Sequence, residues 1–249
     1  MNSNALLEEI LSELHLTSAR EQYIRLAQEA RDPISYLHDV MAAELSARTE
    51  TRTKARLYAA RFPVVKTFDT FDFRLVPNVP KMKVLELTER TFVEEGRNAV
   101  FYGPPGTGKT HCLIAIGVAA CLNGFSAHFT TAAGLLNTLL TAKRQGIFDR
   151  RLKALSRFDL LLIDELGYIP FEREATDLLF QVISQRYESK SIALTTNLAF
   201  EQWTQVFPDA MAATAVIDRI VHHGSVFEFA GESHRLRSRG GKAGRTPKP

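Results

Sequence analysis

Cysteine is scarce in this sequence, and long apolar runs are missing. The two cysteines, Cys112 and Cys121, stand in one apolar stretch of the 249 residues, which excludes a disulfide framework or a cysteine-rich zinc site. We expect both to be buried thiols in a reducing compartment. No apolar run reaches the roughly 20 residues that cross a bilayer, and the acidic start, MNSNALLEEILSEL, lacks the basic end and unbroken apolar core of a signal peptide. We therefore expect a cytoplasmic protein that has no membrane partner.

Charge is nearly balanced over the whole chain but is unevenly placed. The composition, 45% hydrophobic and 24% charged with a formal net charge of +3, is that of an ordinary globular protein. Residues 48–66 contain six basic residues and one acid, and residues 235–249 contain six basic residues and no acid. Such asymmetry suggests contact with a polyanion. A solvated basic helix and a disordered tail are the alternative explanation, which charge alone does not exclude.

The chain divides into four regions by pattern. Residues 1–66 carry apolar residues at helical spacing, with Asp32 as an N-cap before a proline, and predict a small all-helical domain. Residues 67–96 form a connector with two prolines and one short predicted helix, KVLELTERTFVEEG. Residues 97–236 alternate between strand and helix patterns, which predicts an α/β domain with a parallel sheet flanked by helices. Residues 237–249 predict a disordered basic tail.

The stretch GPPGTGKT lies between a predicted strand and a predicted helix. Gly103, Gly108, Lys109 and Thr110 fit the G-x-x-x-x-G-K-[ST] pattern of a phosphate-binding loop. Glycines let the backbone N–H groups approach phosphate oxygens, and the helix N-terminus adds a positive field. A simple glycine-rich turn is the alternative, and the strand–loop–helix context argues against it. The predicted nucleotide contacts are Gly103, Pro104, Pro105, Gly106, Thr107, Gly108, Lys109, Thr110 and His111.

Two further polar groups follow predicted strands. Asp164 and Glu165 end the apolar strand LLLIDE, and Asn197 ends the strand ALTTN. Ligands of parallel sheets lie beyond the carboxyl ends of strands, so Asp164 is expected beside Mg²⁺, together with the Thr110 hydroxyl. Glu165 is then placed to orient a water for attack on the γ-phosphate, and Asn197 to hold that water or the γ-phosphate. The alternatives are a helix N-cap after a core strand and a turn-forming asparagine.

A basic group is also expected to stabilise the transition-state charge. Arg219 is the best candidate, followed by Arg235 and Arg237, although without a family each is more often a surface ion-pair partner. His222 and His223 are adjacent, so on a helix or strand they would point apart, and a metal site built from them is not expected.

The order of these elements resembles an AAA+ ATPase, and a longer stretch is more selective. Residues 160–209, followed by DRIVHHG and GESHRLR, resemble the IstB family of ATP-dependent helper proteins of insertion-sequence transposition, which are akin to DnaC-type helicase loaders. The resemblance implies ATP and Mg²⁺ as cofactors, with Lys109 and Thr110 as the Walker A pair and Asp164 and Glu165 as the Walker B pair. It also implies Asn197 as the sensor, Arg219 as an arginine finger that reaches a neighbouring subunit, and Arg235 as a second sensor. A finger supplied in this way implies a ring or spiral of copies.

The resemblance also implies a helical element that holds DNA between the second strand and the acidic strand. The matching segment, residues 135–157, contains one acid, Asp149, among its cations. Cations here suit phosphates, which give sequence-independent affinity, and a solvated amphipathic helix is the alternative. The candidate DNA contacts are Lys143, Arg144, Arg150, Arg151, Lys153 and Arg157, with Arg52, Lys54 and Arg56 from the helical region.

Three functions are compatible with these features. The first is a DNA-binding, ATP-driven helper that oligomerises on target DNA and recruits or stimulates a transposase. The second is a replicative helicase loader with the same ATPase core, distinguished by its partner. The third is a small-molecule phosphotransferase, which would act as a monomer without DNA, and the sequence offers no sign of an acceptor pocket.

Overall fold

A computed structural model describes residues 3–168, 170–208 and 210–231. The chain forms two compact units with a boundary between Ala55 and Arg56. The predicted tail, residues 237–249, lies outside the described residues, as does Arg235. Among the helices described, none combines the length and the apolar character that crossing a membrane requires.

The first unit is built from three helices. They are α1 (Ser3–Glu13), α2 (Thr17–Glu29) and α3 (Pro33–Ala59), of which α3 continues past the boundary. Their small core consists of Leu11, Ala19, Tyr23 and Val40.

Buried and exposed carboxylates fix the starts of two of these helices. Glu44 is buried on α3 and accepts hydrogen bonds from the N–H groups of Ser18 and Ala19, at 2.9 and 3.1 Å, in the first turn of α2. Asp32 accepts from the N–H groups of Ile34 and Ser35, which confirms its predicted role as the N-cap of α3.

The connector has more structure than its sequence predicts. Two short 3₁₀ turns, Phe68–Thr70 and Phe73–Leu75, are followed by α4 (Lys81–Glu86) and α5 (Arg90–Glu94). The prediction of one helix over KVLELTERTFVEEG is therefore wrong: the chain turns between Leu87 and Glu89, where Thr88 donates its hydroxyl hydrogen to Leu85 O.

The second unit contains a five-stranded parallel sheet, which confirms the predicted α/β class. The strands are β1 (Asn98–Tyr102), β2 (Ala127–Thr131), β3 (Leu160–Leu166), β4 (Ser191–Thr196) and β5 (Gly224–Glu228). Their order is β2-β3-β4-β1-β5, and all neighbouring pairs are parallel. The pattern GSVFE of β5 is too short and too mixed to predict a strand, but pairing with β1 forms it. The order places β4 between the two strands that carry the nucleotide motifs.

Helices cover both faces of the sheet. They are α6 (Lys109–Leu122), α7 (Ala132–Arg144), α8 (Phe148–Ser156), α9 (Arg173–Arg186) and α10 (Ala210–Val221). One core joins α6 and the connector to one face of the sheet, and the other joins α7 to α10 to the opposite face. Successive side chains of a strand point to opposite faces of the sheet, so they pack into different cores. On β3, for example, Leu162 packs into the core that contains α6, and Ile163 packs into the core that contains α7 to α10. Cys112 and Cys121 are buried free thiols, as predicted.

A buried arginine fixes the edge of the sheet where β3 and β4 begin. The Arg186 guanidinium donates hydrogen bonds of 2.9–3.2 Å to the carbonyl oxygens of Leu155, Phe158, Asp159 and Ser191. Arg186 is 1% exposed, and burial lowers its pKa to about 10. The side chain therefore links α9 to the starts of β3 and β4 through hydrogen bonds that backbone groups alone do not make.

Replacing Arg186 by Met should lower the free energy of unfolding by about 3 kcal/mol or more, because four buried carbonyls lose their donor. Urea denaturation followed by circular dichroism measures this. The matched change of the exposed Arg157 to Met should cost less than about 0.5 kcal/mol. Equal stability of the two variants would contradict a structural role for Arg186.

Candidate nucleotide site

The glycine-rich loop connects β1 to α6 and needs its glycines for two reasons. Gly103 has φ +135°, and a Cβ on it would lie 2.0 Å from the carbonyl oxygen of Phe229. Gly108 has φ +100°, and a Cβ on it would lie 2.6 Å from the ring of Phe71. Backbone at these angles suits glycine alone among common residues. The loop therefore has a backbone without side chains at the two positions where the chain comes closest to its neighbours, and such a backbone suits close approach to a phosphate.

Lys109 begins α6 and extends back over the loop. Its side chain is 9% exposed, and its Nζ donates to the carbonyl oxygens of Gly103 and Pro104 at 2.6 and 2.7 Å. Thr107 donates its hydroxyl hydrogen to Pro104 O as well, at 2.9 Å. The ammonium group thus lies inside the curve of the loop, where it can neutralise phosphate charge.

Asp164 joins three elements at the carboxyl edge of the sheet. It is 5% exposed on β3, and its Oδ1 accepts a hydrogen bond from the Thr110 hydroxyl at 3.0 Å and from the Thr195 hydroxyl at 2.5 Å. Thr110 belongs to α6 and Thr195 to β4, so the two strand ends and the loop helix are held together. Thr195 is a site residue that the sequence analysis missed, and the only available signal was a hydroxyl two positions before Asn197.

Glu165 lies in an irregularity of the β3–β4 pairing. The register shifts between Ile163 and Leu166, and Glu165 has φ +60°, a conformation that costs a non-glycine residue energy. Its N–H donates to the Thr195 hydroxyl at 2.9 Å, which supports this conformation. The Glu165 side chain is exposed and lines a small cavity with Lys109, Thr110, Tyr168 and Asn197. The structure thus brings together the motif residues that the sequence places some 90 positions apart.

Lys109 and Thr110 also line a larger cleft. Its volume is about 530 Å³, which falls within the roughly 300–1,000 Å³ of small-molecule sites. Its walls come from the loop, from α6, and from connector residues that the sequence analysis did not select. His111 Nε2 is 2.8 Å from Thr67 O, and the His111 ring meets the Phe71 ring edge to face. The described lining includes Pro63, Val64 and Lys66, which follow α3, and Thr70, Phe71, Asp72 and Leu75 of the connector.

Arg219 lies elsewhere on the second unit. Its guanidinium carbon stands 4.4 Å above the Phe180 ring, and its Nη1 donates to Ala215 O at 3.1 Å. Among the described residues, no arginine lines either the cleft or the small cavity. The geometry therefore keeps Arg219 apart from the loop of its own chain.

The expectation that His222 and His223 point apart is wrong. Both lie in the turn between α10 and β5, in neither a helix nor a strand, and their ring centroids are 4.4 Å apart. His222 Nδ1 is 3.1 Å from the Tyr187 hydroxyl, and His223 Nε2 is 3.7 Å from Glu188 Oε1. Ligand atoms of Glu188 and the two histidines all lie within 4.8 Å of one another, so a turn has gathered groups that could hold a metal ion.

The predicted DNA-contact residues differ in their availability. Lys143 pairs with Glu174 at 2.8 Å, an acid distant in the sequence, and Lys54 pairs with Glu50 at 2.5 Å, the one acid of residues 48–66. Arg151 is half-buried in a second cleft, at the opposite edge of the sheet. Both lysines are nevertheless exposed, as are Arg52, Arg144, Arg150, Lys153 and Arg157, and Arg56 is half-buried.

A family model described as "IstB-like ATP binding protein" matches residues 7–241. This chain belongs to the IstB-like family. A protein named for ATP binding in insertion sequence IS21 of Pseudomonas aeruginosa is 39% identical to this IstB-like chain over 94% of the chain and 89% of that protein. A counterpart in insertion sequence IS5376 of Geobacillus stearothermophilus is 36% identical over 94% of both.

Solved structures share the fold of this IstB-like protein. The DnaC helicase loader gives a TM-score of 0.53 at 21% identity, over 60% of this chain and 87% of the DnaC chain. The second unit is thus an AAA+ P-loop fold, and the family expected from residues 160–209 is confirmed.

The residues at the carboxyl edge suit a magnesium ion in their chemistry. Mg²⁺ prefers oxygen ligands, and the Thr110 hydroxyl and the Asp164 carboxylate lie in contact beside the loop. The site thus offers one neutral and one charged oxygen donor next to the position where phosphates are expected.

Replacing Thr195 by Val should lower the free energy of unfolding of the IstB-like protein by about 1–3 kcal/mol, because Glu165 N–H loses its acceptor and Asp164 a donor. Chemical denaturation measures this change. Thr195→Ser keeps the hydroxyl and should recover most of the loss. A valine variant as stable as the wild type would show that the two hydrogen bonds do not hold the strand ends.

Proposed function

We propose that this IstB-like protein is a Mg²⁺-dependent ATPase that assembles on target DNA and recruits or stimulates the transposase of its insertion sequence. ATP hydrolysis then drives disassembly or turnover. The observation that carries the proposal is the convergence of Lys109, Thr110, Asp164, Glu165 and Asn197 beside one glycine loop. The family description and the names of the relatives support ATP as the nucleotide.

The triphosphate binds along the loop. Backbone N–H groups of residues 106–110, at the end of the loop and the N-terminus of α6, face the phosphates, and Lys109 neutralises the β- and γ-phosphates. The cleft beyond Lys109 provides room for the base and ribose, with the Phe71 ring as an apolar wall.

Hydrolysis uses the small cavity. Glu165 orients a water toward the γ-phosphate and draws off its proton, and Asn197 holds the water or the phosphate in line. A bound Mg²⁺, held by Thr110 and Asp164, supplies charge neutralisation of the phosphates. The exposed carboxylate of Glu165 supports this role, because the strained backbone turns it out of the strand and into the cavity.

The position of Arg219 supports assembly. A phosphoryl-transfer site gains from a cation on the departing charge, and Lys66 and Lys109 are the cations among the described lining residues. Arg219 is held by Phe180 away from that lining and is available to the nucleotide of an adjacent copy. Such a contact between different surfaces of two copies generates a ring or a spiral.

DNA binding rests on exposed cations near the end of α7 and on α8. Arg144, Arg150 and Lys153 are exposed, whereas Lys143 shares its charge with Glu174. Contacts of this type are made to phosphates, so affinity is expected to be independent of sequence and to fall steeply with salt. A flat salt response would remove this support.

The transposase is proposed as the partner because the relatives that cover nearly the whole chain come from insertion sequences. The likeness to DnaC concerns the fold alone. Exposed apolar residues on the first unit, among them Leu14, Ile34 and Leu45, supply a surface for a partner outside the ATPase core. Pull-down by the full chain of the element's transposase and of the replicative helicase separates the two partners, and binding to the helicase alone would replace transposition by helicase loading.

Replacing Glu165 by Gln should preserve ATP binding but slow hydrolysis by about 100-fold or more, because a water-orienting base is lost. The variant should also remain on DNA, since the ATP-bound assembly no longer turns over. Phosphate release, labelled-ATP binding and anisotropy of a labelled duplex measure the three effects.

The exposed Glu172, at the N-cap of α9, gives a matched control as Glu172→Gln, which should behave as wild type. Normal turnover by Glu165→Gln would refute the role of Glu165. Duplex binding by the wild type that is the same with and without ATP would refute ATP-driven assembly on DNA.

A further inference from the structure

A second cleft lies at the edge of the sheet opposite the nucleotide loop. Ser126 and Phe158, which line it, come just before β2 and β3, whereas the loop follows the carboxyl end of β1. Its volume is about 940 Å³. We propose that this cleft binds a nucleoside phosphate, either as one unstacked nucleotide of a single strand or as a free mononucleotide. This site is distinct from the ATP site and from the exposed duplex-binding cations of the proposed function.

The charge of the cleft is of one sign. Arg61, Arg151 and Arg157 line it, and no aspartate or glutamate is among its described lining residues. The neighbouring Asp159 carboxylate already has partners: it accepts a hydrogen bond from the Ser126 hydroxyl and forms an ion pair with Lys190 at 2.5 Å. Guanidinium groups of this kind bind phosphate through charge-assisted hydrogen bonds.

Two buried polar atoms in the cleft have no hydrogen-bond partner among the residues that the structure describes. They are Nδ1 of His128 and Nε of Arg151, and His128 is 9% exposed. Burial and the charges of Arg61, Arg151 and Arg186 lower the pKa of His128 to about 4, so the imidazole is neutral near pH 7. An unpartnered buried polar group costs about 1–3 kcal/mol. A hydrogen-bonding anion seated among these groups offsets that cost.

The cleft also offers an aromatic platform. The rings of His128 and Phe158 are stacked, with centroids 4.8 Å apart and planes inclined at 21°. Leu57, Phe62 and Leu155 add apolar wall. A flat base gains about 1–3 kcal/mol from stacking on such a surface. A platform of this kind beside three arginines favours a base joined to a phosphate over inorganic phosphate or an acidic peptide.

The walls of the cleft are held in place without a ligand. Phe129 N–H, at the edge of the sheet, donates to Ala60 O at 2.8 Å, which fixes the chain that leads to Arg61. The buried guanidinium of Arg186 holds the carbonyls of Leu155 and Phe158 on the facing wall. The site is therefore built before binding, which reduces the ordering cost of a ligand.

The test measures binding of fluorescein-labelled tetrathymidylate to the full chain by anisotropy, in the Lys109→Ala background that disables the phosphate loop. We expect Arg151→Gln, Arg61→Gln and Phe158→Leu each to weaken binding about tenfold, the loss of roughly 1.4 kcal/mol that one charged hydrogen bond or one stack supplies. Arg173→Gln, an exposed arginine of α9 outside the cleft, should change it less than about twofold. Unfolding midpoints verify that each variant is folded. If Arg151→Gln is unstable, Arg61→Gln still tests the cleft, because Arg61 is exposed and its replacement should not affect folding.

Competition distinguishes the two sources of the ligand. Displacement by thymidine monophosphate at a concentration similar to that of unlabelled tetrathymidylate indicates a free mononucleotide, and displacement by the oligonucleotide alone indicates a strand. The proposal is overturned if tetrathymidylate does not bind, if Arg173→Gln weakens it as much as Arg151→Gln, or if a labelled acidic peptide binds in its place with the same dependence on Arg151. ATP-dependent duplex binding is measured in parallel without the Lys109 change, so failure of the cleft and failure of the proposed function give different results.

Discussion

The Asp164 carboxylate is the contact on which the geometry of the site depends. Its Oδ1 accepts one hydrogen bond from Thr110 in the first turn of α6 and a second from Thr195 on β4. A single oxygen atom therefore connects the loop helix to the ends of β3 and β4. Its burial makes these bonds costly to break, since a buried carboxylate without donors pays a large desolvation penalty. The same interaction places the two oxygen donors proposed for Mg²⁺ side by side. Stability of the sheet edge and the chemistry proposed for it therefore rest on the same atoms.

The strained backbone of Glu165 follows from that anchor. Asp164 points inward to its donors, and the next residue of an ordinary strand would point into the opposite core. The shift in register and the positive φ instead turn Glu165 outward, and Thr195 holds its N–H group. Because of the strained backbone at Glu165, the Asp164 carboxylate holds the strand ends together while the Glu165 carboxylate can face water. In the proposed assembly, Arg219 of a second copy completes this chemistry, and hydrolysis would then depend on assembly.

The sequence predicts those parts of the molecule that depend on local pattern. The glycine loop, the strand–helix alternation and the N-cap at Asp32 all arise from neighbours in the chain, and the structure has each of them. Long-range contacts were not predictable in this way. Phe71 meets Gly108, and β5 forms only because β1 offers it an edge. His222 and His223 converge because the chain turns between α10 and β5, a conformation that residue spacing does not specify. Thr195 was missed because a buried threonine in a strand ordinarily reflects packing alone.

Mixing two inactive variants tests most directly whether the ATP site is shared between copies. Lys109→Ala retains Arg219 but lacks the phosphate lysine, and Arg219→Ala has the reverse defect. Each alone should hydrolyse ATP poorly. An equimolar mixture on duplex DNA should recover up to about a quarter of the wild-type rate, because random assembly in a head-to-tail contact joins an intact loop to an intact arginine about one time in four. A mixture no faster than the sum of its two components would contradict the shared site.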